Sequence, residues 1–239
     1  FSSPIYSIKR RKIFGGGKTS GDIKMDKKVI IIGQGDIAKT MAHFPNVIGY
    51  VNVNNLNEIL EPFNGDKIGI VNPSLHEGVI GIGKTIYKEQ RAKEWKSLGY
   101  NLTTLIHPLA YIDPRVEIGE GSSIWPFAFI DGDTKIGENT MIGAHSMVHY
   151  GTIGDNCHIT MGVKILPRSI LKDNVFLGVG ATILEGIVVG KGSAVGANFT
   201  VSKNIPDRHL YIGSREKPLK KLEKGVYYPL TTDEKSKYS

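Results

Sequence analysis

Residues 136–165 read IGENTMIGAHSMVHYGTIGDNCHITMGVKI, and an aliphatic side chain returns in them at nearly every sixth position. The same spacing extends over residues 112–201. A helix repeats every ~3.6 residues and a strand about every two, so neither element alone explains this period. A parallel β-helix does, because each hexad supplies a short strand with one inward side chain and a tight turn. The sixteen positions are Ile112, Ile118, Ile124, Ile130, Ile136, Ile142, Val148, Ile153, Ile159, Ile165, Leu171, Leu177, Ile183, Val189, Val195 and Val201.

The hexad series predicts about five coils, because roughly three hexads close one triangular coil. It has one break: Val148 and Ile153 are five residues apart, and residues 149–152 between them read HYGT. Since Met141 and Met147 also fit the second phase, the slip could lie one hexad earlier. A shortened corner fits either a harmless deletion or a functional site, and the pattern alone leaves both open.

The composition, with 40% hydrophobic and 22% charged residues among 239, is ordinary for a soluble globular protein. The single cysteine, Cys157, excludes an internal disulfide framework and is typical of a reducing compartment, so we expect a cytoplasmic location. No apolar run approaches the ~20 residues of a membrane span, and we expect no membrane partner. Residues 1–24 lack the apolar core of a signal peptide. Because Met25 precedes a predicted strand, we interpret residues 1–24 as an extension or a tag-like segment.

The net charge is +7, with basic runs at residues 9–12 and 217–224. A basic surface attracts anions, including phosphorylated small molecules and nucleic acid. These runs contain no interleaved aromatic residues, and the sequence carries no nucleic-acid-binding motif, so we expect no nucleic-acid partner. It also shows neither metal-ligand spacing nor a Ser/His/Asp or Cys nucleophile arrangement, and we expect no metal.

Residues 25–106 alternate predicted strands with predicted helices, which favours a small, open, parallel sheet of the Rossmann type. Residues 85–98 are predicted to be a helix, and residues 56–63 a short helix or a loop. Strands are predicted at residues 28–32, 47–53, 67–71, 79–82 and 102–106.

The first predicted strand leads directly into Gly33-Gln34-Gly35-Asp36-Ile37-Ala38. A Gly-x-Gly-x-x-Ala turn between a strand and a helix lets the backbone approach a phosphate at the helix N-terminus. A tight turn without a ligand gives the same pattern. Asn52 stands where a dinucleotide fold would place an acid for a ribose hydroxyl. Its presence argues against a nicotinamide cofactor and leaves a nucleotide or nucleotide sugar.

Further motifs lie where the two predicted domains end and meet. They are Gly196-Ala197-Asn198 followed by residues 201–207 (VSKNIPD), Ile80-Gly81-Ile82-Gly83 with Arg91 eight residues on, and Ile106-His107-Pro108. Together with the hexads and the Gly33-Gln34-Gly35 turn, they resemble the sugar acetyltransferases related to sialic acid O-acetyltransferases, which include nucleotide-aminosugar N-acetyltransferases. The resemblance covers residues 27–220. It implies a Rossmann-like nucleotide-sugar-binding domain at residues 25–106, a left-handed β-helix at 107–213, and a basic and polar tail at 214–239.

The resemblance also implies a homotrimer with active sites between neighbouring solenoids and acetyl-CoA along the groove. It gives His149 the role of general base and His158 a contact with acetyl-CoA. His145, four residues before His149, is an alternative base. Residues expected to bind CoA are Gly178, Gly180, Gly196, Ala197 and Lys217, with Lys191, Lys203 and Arg215 as further candidates for its phosphates. Residues expected to bind the nucleotide sugar are Gly33, Gly35, Asp36, Asn52 and Arg91.

The chain departs from the family pattern directly after the predicted base. Tyr150 stands where the family has an acid that orients the histidine, and a tyrosine cannot supply that charge at pH 7. A backbone carbonyl or another acid, such as Asp155 or a residue of a neighbouring chain, could orient His149 instead. Otherwise the activity is lower, or the chain is not catalytic.

The sequence therefore predicts an acetyl-CoA-dependent N-acetyltransferase acting on a nucleotide-linked 4-amino-4,6-dideoxy sugar in surface glycan synthesis. Two alternatives stay open. The same fold could acetylate a hydroxyl, as in sialic acid O-acetylation. A β-helix without catalytic function could serve as a binding or assembly protein, an interpretation favoured only by Tyr150.

Overall fold

The computed structural model describes two packed regions of the chain, a mixed sheet with two helices and a long parallel solenoid. The described residues are 28–33, 35–41, 44, 47–52, 55–62, 74, 76–212 and 220–221. The predictions for residues 1–24, for a strand at 67–71, and for Arg215 and Lys217 lie outside them. Among the described residues, no helix has both the length and the apolar composition to cross a membrane.

The N-terminal region is built on one four-stranded sheet with the order β3-β2-β1-β4. Its elements are β1 (Lys28–Ile32), α1 (Asp36–Met41), β2 (Val47–Asn52), β3 (Asn55–Pro62), β4 (His76–Ile80) and α2 (Thr85–Ser97). Strands β1, β2 and β4 are parallel, as expected, and the apolar run of β1 is buried. The helix predicted at residues 85–98 is confirmed by α2.

Two expectations for this region are wrong. Residues 55–62 form strand β3, which pairs antiparallel with β2, where we expected a short helix or a loop. The sheet is therefore mixed. Of the strand expected at residues 102–106, only Leu105 and Ile106 are in a strand, and they pair with the solenoid. Leu102 keeps a single bridge to Gly78 of the N-terminal sheet.

The solenoid consists of short strands joined by tight corners. In chain order they are β5 (Leu105–Ile106), β6 (Tyr111–Ile112), β7 (Glu117–Ile118), β8 (Ser123–Ile124), β9 (Phe129–Asp131), β10 (Lys135–Ile136), β11 (Met141–Ile142), β12 (Met147–His149), β13 (Thr152–Ile153), β14 (His158–Ile159), β15 (Lys164–Ile165), β16 (Ile170–Leu171), β17 (Phe176–Leu177), β18 (Thr182–Ile183), β19 (Val188–Val189), β20 (Ala194–Val195), β21 (Thr200–Val201), β22 (His209–Tyr211) and β23 (Lys220–Lys221).

Every third strand falls in the same sheet, so the solenoid has three faces. The five-strand face holds β7 to β19, the six-strand face β6 to β21, and the eight-strand face β5 to β23. All neighbours are parallel except the final pair, β22 and β23. The parallel β-helix is thus confirmed. The prediction of about five coils equals only the count on the shortest face and is not confirmed for the solenoid as a whole.

The hexad side chains form the solenoid core. All of the predicted positions from Ile124 to Val201 are buried in one cluster, and Ile112 and Ile118 pack against it partly buried. Val148 and Ile153 both belong to this core, so the five-residue step lies between them. The earlier slip is wrong, because Ile142 points into the core while Met141 packs against the N-terminal sheet.

The N-terminal region packs on the eight-strand face. Val29, Ile31, Ala38, Met41, Phe44 and Val79 share a buried cluster with Leu105, Trp125 and Met141 of the solenoid. The rings of Phe44 and Trp125 meet edge-on, with centroids 6.0 Å apart. This apolar contact covers the eight-strand face, while His149 ends β12, an interior strand of the six-strand face.

Candidate active site

His149 is the last residue of β12, and it stands at the five-residue step. Its Nδ1 atom lies 2.6 Å from Oδ1 of Asp131, the last residue of β9. Strand pairing places the two residues side by side on adjacent coils. The two side chains are 38% and 21% exposed, so the pair is open to solvent. Because Asp131 occupies Nδ1, the Nε2 atom is the ring nitrogen left to meet a substrate.

Asp131 supplies the carboxylate that the sequence lacks after His149. We expected a backbone carbonyl or another acid in this role, and the structure places another acid there, Asp131 rather than the suggested Asp155. Asp155 instead accepts a hydrogen bond from the backbone N–H of Glu138. The sequence does contain a sign of this pairing, since Asp131 precedes His149 by eighteen residues, which is the length of three hexads and so of one coil.

Tyr150 forms the corner that follows His149. Its backbone has φ of 47°, in the left-handed region that is uncommon for a non-glycine residue. The ring meets the His149 ring edge-on, with centroids 4.8 Å apart and planes at 90°. It also lies directly over Gly132, where a Cβ atom would stand 2.6 Å from three ring carbons. Any side chain at position 132 would therefore displace the tyrosine.

Arg115 approaches the Tyr150 ring from two coils away. The guanidinium carbon lies 5.9 Å from the ring centroid, within the range of a cation–π contact. Its Nε and a terminal nitrogen donate to the Asp113 carboxylate. Hydrogen bonds with Asp113 and Tyr150 raise the pKa of Arg115 above its ordinary value. Tyr150, Arg115 and Asp113 thus adjoin the His149–Asp131 pair on one side of the solenoid.

His145, the alternative base, lies at a different corner. Its ring stacks on that of Phe127, with centroids 4.9 Å apart, and its backbone is also left-handed. Its side chain is exposed. The structure therefore gives a carboxylate partner to His149 and an aromatic partner to His145.

His158 lies on the covered eight-strand face and is 2% exposed. Burial lowers its pKa to about 3, with a smaller contribution from the charge of Lys88. Its Nδ1 atom has no partner among the described residues. The resemblance implied a contact with acetyl-CoA, and the burial of this side chain within the chain argues against that contact. Sequence could not show this, because the covering residues lie far away in the chain.

Lys88 is a site that sequence reasoning missed. It projects from α2 and is 1% exposed, with Nζ donating to the backbone oxygens of Asn139 at 3.0 Å and of Cys157 at 3.1 Å. Burial lowers its pKa to about 8. A lysine on a helix normally indicates a solvated face, so the sequence carried no signal of this link between α2 and the solenoid.

The residues expected to bind CoA lie toward the C-terminal end of the solenoid. A Cβ atom at Gly178 would stand 2.6 Å from the Ala197 nitrogen, and one at Gly180 would meet the side chain of Asn198. Close stacking of coils therefore accounts for both glycines. Gly196 is half-buried and Ala197 exposed. Of the basic candidates, Lys191 pairs with Asp173 at 3.1 Å and Lys203 is exposed.

The two glycines of the N-terminal turn differ in the space around their Cα atoms. Gly33 has φ of +141°, and a Cβ there would stand 2.8 Å from the Gly81 carbonyl oxygen. At Gly35 the corresponding space is empty within 4 Å, and Gly35 and Asp36 are exposed. Close packing against Gly81 thus explains the glycine at position 33, while the turn beside Gly35 is accessible to a ligand.

Two further expected sugar contacts lie outside this turn. Asn52 ends β2 and pairs with Asn55 of β3. Arg91 lies on α2, half-buried, and its guanidinium pairs with Glu94 on the same helix. In the described part of the chain, no group of three or more His, Cys, Asp and Glu side chains is placed to hold a metal ion.

Two sequence families match the solenoid. Residues 133–167 match the family described as bacterial transferase hexapeptide (six repeats), and residues 171–203 match the hexapeptide repeat of succinyl-transferase. Hexapeptide repeats of the kind found in transferases therefore occupy most of residues 133–203. The aliphatic side chains of these repeats form the solenoid core described above.

Two solved structures share the fold over 82% of this chain. The acetyltransferase domain of PglB from Neisseria gonorrhoeae superposes with a TM-score of 0.71 at 22% identity, covering 82% of this chain and 100% of that one. PerB from Caulobacter crescentus, solved in complex with CoA and GDP-perosamine, gives 0.62 at 26% identity, covering 82% and 98%.

Curated relatives match over shorter stretches. The hexapeptide-repeat chain is 30% identical to gamma carbonic anhydrase 1 of Arabidopsis thaliana over 164 residues, or 59% of each chain. It spans about half or less of the length of others that it matches. Because hexapeptide repeats occur in proteins of different activity, the chemistry of this chain must be argued from its own site.

Proposed function

We propose that the protein is an acetyl-CoA-dependent N-acetyltransferase that acts on the amino group of a nucleotide-linked 4-amino-4,6-dideoxyhexose in surface glycan synthesis. The observation that carries the proposal is the His149–Asp131 pair, an imidazole with one nitrogen held by a carboxylate and the ring open to solvent. The likeness to PerB, solved with CoA and GDP-perosamine, supports the substrate class.

In this mechanism the uncharged amine attacks the thioester carbonyl while Nε2 of His149 accepts one of its protons. A C–N bond forms, and the tetrahedral oxyanion then collapses with loss of the C–S bond. The imidazolium returns the proton to the CoA sulfur, so the products are the amide and free CoA. General base catalysis of this kind contributes about 10²- to 10⁴-fold.

Asp131 has two effects on His149 in this scheme. By accepting a hydrogen bond at Nδ1, it fixes the tautomer whose Nε2 carries a lone pair. Its negative charge then stabilises the imidazolium that forms during attack. The pair lies between coils of one chain, so this part of the machinery is complete in a single subunit.

The remaining elements of the proposal follow the resemblance. Acetyl-CoA lies along the solenoid near Gly178, Gly180, Gly196 and Ala197, in a groove between subunits of a homotrimer. Lys217 meets its phosphates. The nucleotide is held at the turn around Gly35 and Asp36, which is exposed. The backbone N–H groups of Gly35 and its neighbours could then approach a phosphate.

The interpretation as a binding or assembly protein without catalysis loses its support. It depended on Tyr150 replacing the acid, and Asp131 provides a carboxylate on His149 at 2.6 Å. Acetylation of a hydroxyl would use the same His149–Asp131 pair, so only the acceptor distinguishes O-acetylation from N-acetylation. A second candidate of the carbonic anhydrase type has no metal-binding group to support it within the described residues.

The proposal is tested by thiol release from acetyl-CoA with a panel of acceptors. The panel contains GDP-perosamine, nucleotide-linked aminosugars with other bases, and the matching sugars with a hydroxyl in place of the amine. Turnover with the amines alone is the expected result, together with a mass increase of one acetyl group on the sugar. Turnover with the hydroxyl acceptors alone would reassign the enzyme to O-acetylation, and the absence of thiol release throughout would refute the proposal.

A further inference from the structure

Tyr150 is an exposed aromatic side chain that the mechanism above does not use. Its side chain is 41% exposed, although its ring contacts His149 and Gly132. Asp131 is the carboxylate on His149, so Tyr150 is not needed to orient the base. A large ring directly beside the base then needs another explanation.

The location of Tyr150 is set by the chain itself. Gly132 gives the ring a flat support, and Arg115 approaches it at 5.9 Å. The backbone oxygen of Tyr150 accepts a hydrogen bond from the N–H of Arg168 on the next coil. These contacts hold the ring without any ligand, and a preorganised aromatic surface binds at low entropic cost.

The geometry around His149 restricts where an acceptor can lie. Nδ1 is occupied by Asp131, so the reacting nitrogen must approach Nε2 within hydrogen-bonding distance. The Tyr150 ring centroid is 4.8 Å from that of His149. The tyrosine ring is 41% exposed and contacts the imidazole that carries Nε2, so it is an aromatic surface next to the place where the acceptor sugar must lie.

We infer that Tyr150 is a specificity-determining residue that packs its ring against the apolar face of the acceptor sugar. The inference rests on the proposed function and adds a substrate feature to it. A carboxylate at this position would meet the sugar with charge, whereas a tyrosine at pH 7 is neutral and offers an apolar ring. The site then favours a 6-deoxy aminosugar, whose methyl group adds apolar surface, over the same sugar with a C6 hydroxyl.

The test uses two substitutions at position 150 in the full-length protein. Tyr150→Phe keeps the ring, and Tyr150→Asn removes it while suiting the left-handed backbone, since Asn tolerates positive φ better than most residues. Steady-state kinetics are measured with GDP-perosamine and with its analogue carrying a C6 hydroxyl, at saturating acetyl-CoA.

We expect Tyr150→Asn to raise the KM for GDP-perosamine about tenfold, the size of one aromatic contact, with kcat changed by less than about threefold. The preference for the 6-deoxy sugar should fall by a similar factor. Tyr150→Phe should retain the wild-type KM, and the KM for acetyl-CoA should be unchanged in both. If Tyr150 served only folding, Tyr150→Asn would lower the melting temperature but leave the ratio of the KM values for GDP-perosamine and its C6-hydroxyl analogue unchanged.

An unchanged KM for GDP-perosamine in Tyr150→Asn would overturn the inference and leave the proposed function intact. So would a tenfold rise in the KM for acetyl-CoA alone. Calorimetric titration of GDP-perosamine into the protein tests the role of Tyr150 separately from the proposed acetyl transfer when turnover fails. Binding that Tyr150→Asn weakens would support the inference even if no acetyl transfer occurred, whereas equal or absent binding in both proteins would refute it.

Discussion

The Nδ1 atom of His149 lies 2.6 Å from Oδ1 of Asp131, and eighteen residues of chain separate the two. Their proximity comes from the parallel pairing of β9 and β12. The orientation of the imidazole is therefore fixed by the stacking of coils, where the resembling family uses the residue next in sequence.

Asp131→Asn should lower kcat about 10²-fold or more while KM for both substrates stays within about threefold. A neutral amide cannot stabilise the imidazolium, and it can hold the wrong tautomer of His149. Steady-state thiol release with GDP-perosamine measures the effect. Asp133→Asn is the matched control, because its side chain is 71% exposed and lies beside Arg115. Equal losses in the two variants would mean that Asp131 does not act through His149.

His149→Ala should abolish acetyl transfer, with a loss of about 10²- to 10⁴-fold in kcat, because the amine loses its proton acceptor. His145→Ala should retain wild-type kcat, since the ring of His145 stacks on Phe127 at another corner. Size-exclusion chromatography should give the same oligomer for both variants. The assignment of the base fails if His149→Ala turns over at near the wild-type rate.

His158 should make the protein less stable in mild acid. Its pKa is lowered to about 3 in the folded state, so between pH 6.5 and pH 3 the unfolded state binds more protons. Stability is therefore lost as the pH falls below 6.5. Between pH 7 and pH 5 the wild type should lose about 2 kcal/mol more than His158→Leu.

Urea unfolding at the two pH values gives this difference. His145→Leu, which changes an exposed histidine, serves as the control and should follow the wild type. Parallel pH dependence in the wild type and His158→Leu would show that the buried imidazole does not remain neutral.

Lys88 should change stability in the same direction on the alkaline side, where stability rises with pH. Its pKa is about 8 in the folded protein against 10.5 unfolded, so above pH 8 the unfolded state retains more protons. Unfolding then costs more as the pH rises toward 10.5. From pH 7 to pH 9 the wild type should gain about 1 kcal/mol relative to Lys88→Met.

The Cys157 thiol, whose pKa is raised to about 12 by burial, is present in both proteins, so its contribution cancels in the comparison. Lys93→Met changes a lysine that is 75% exposed on the same helix and should show no such gain. A constant difference between wild type and Lys88→Met from pH 7 to pH 9 would contradict a Lys88 pKa lowered by burial.

The hexad series predicted the solenoid correctly because every inward side chain follows one rule along the chain. The spacing placed the irregular corner to within one hexad, and the burial of Val148 and Ile153 in the core decides its position. The N-terminal region was predicted less well, since residues 55–62 have no period that separates a strand from a helix, and only pairing with β2 decides. Propensity is overridden there by tertiary contacts.

The candidate site was half predictable. His149 stood out through the broken spacing and the resemblance. Asp131 was predictable as well, because three hexads make one coil and the residue eighteen positions before His149 lies next to it. The burial of Lys88 and His158 could not be anticipated, because it depends on how the N-terminal sheet docks on the eight-strand face.

The docking of an imidazole on a carboxylate from the adjacent coil makes chain length itself part of the chemistry. Deleting one hexad between Asp131 and His149 would turn the carboxylate through a third of the circumference, onto another side of the prism. Adding three hexads would leave the carboxylate on the same face but insert one more coil between Asp131 and His149. The seventeen intervening residues can vary in identity, but their number is fixed by the alignment of Asp131 with His149.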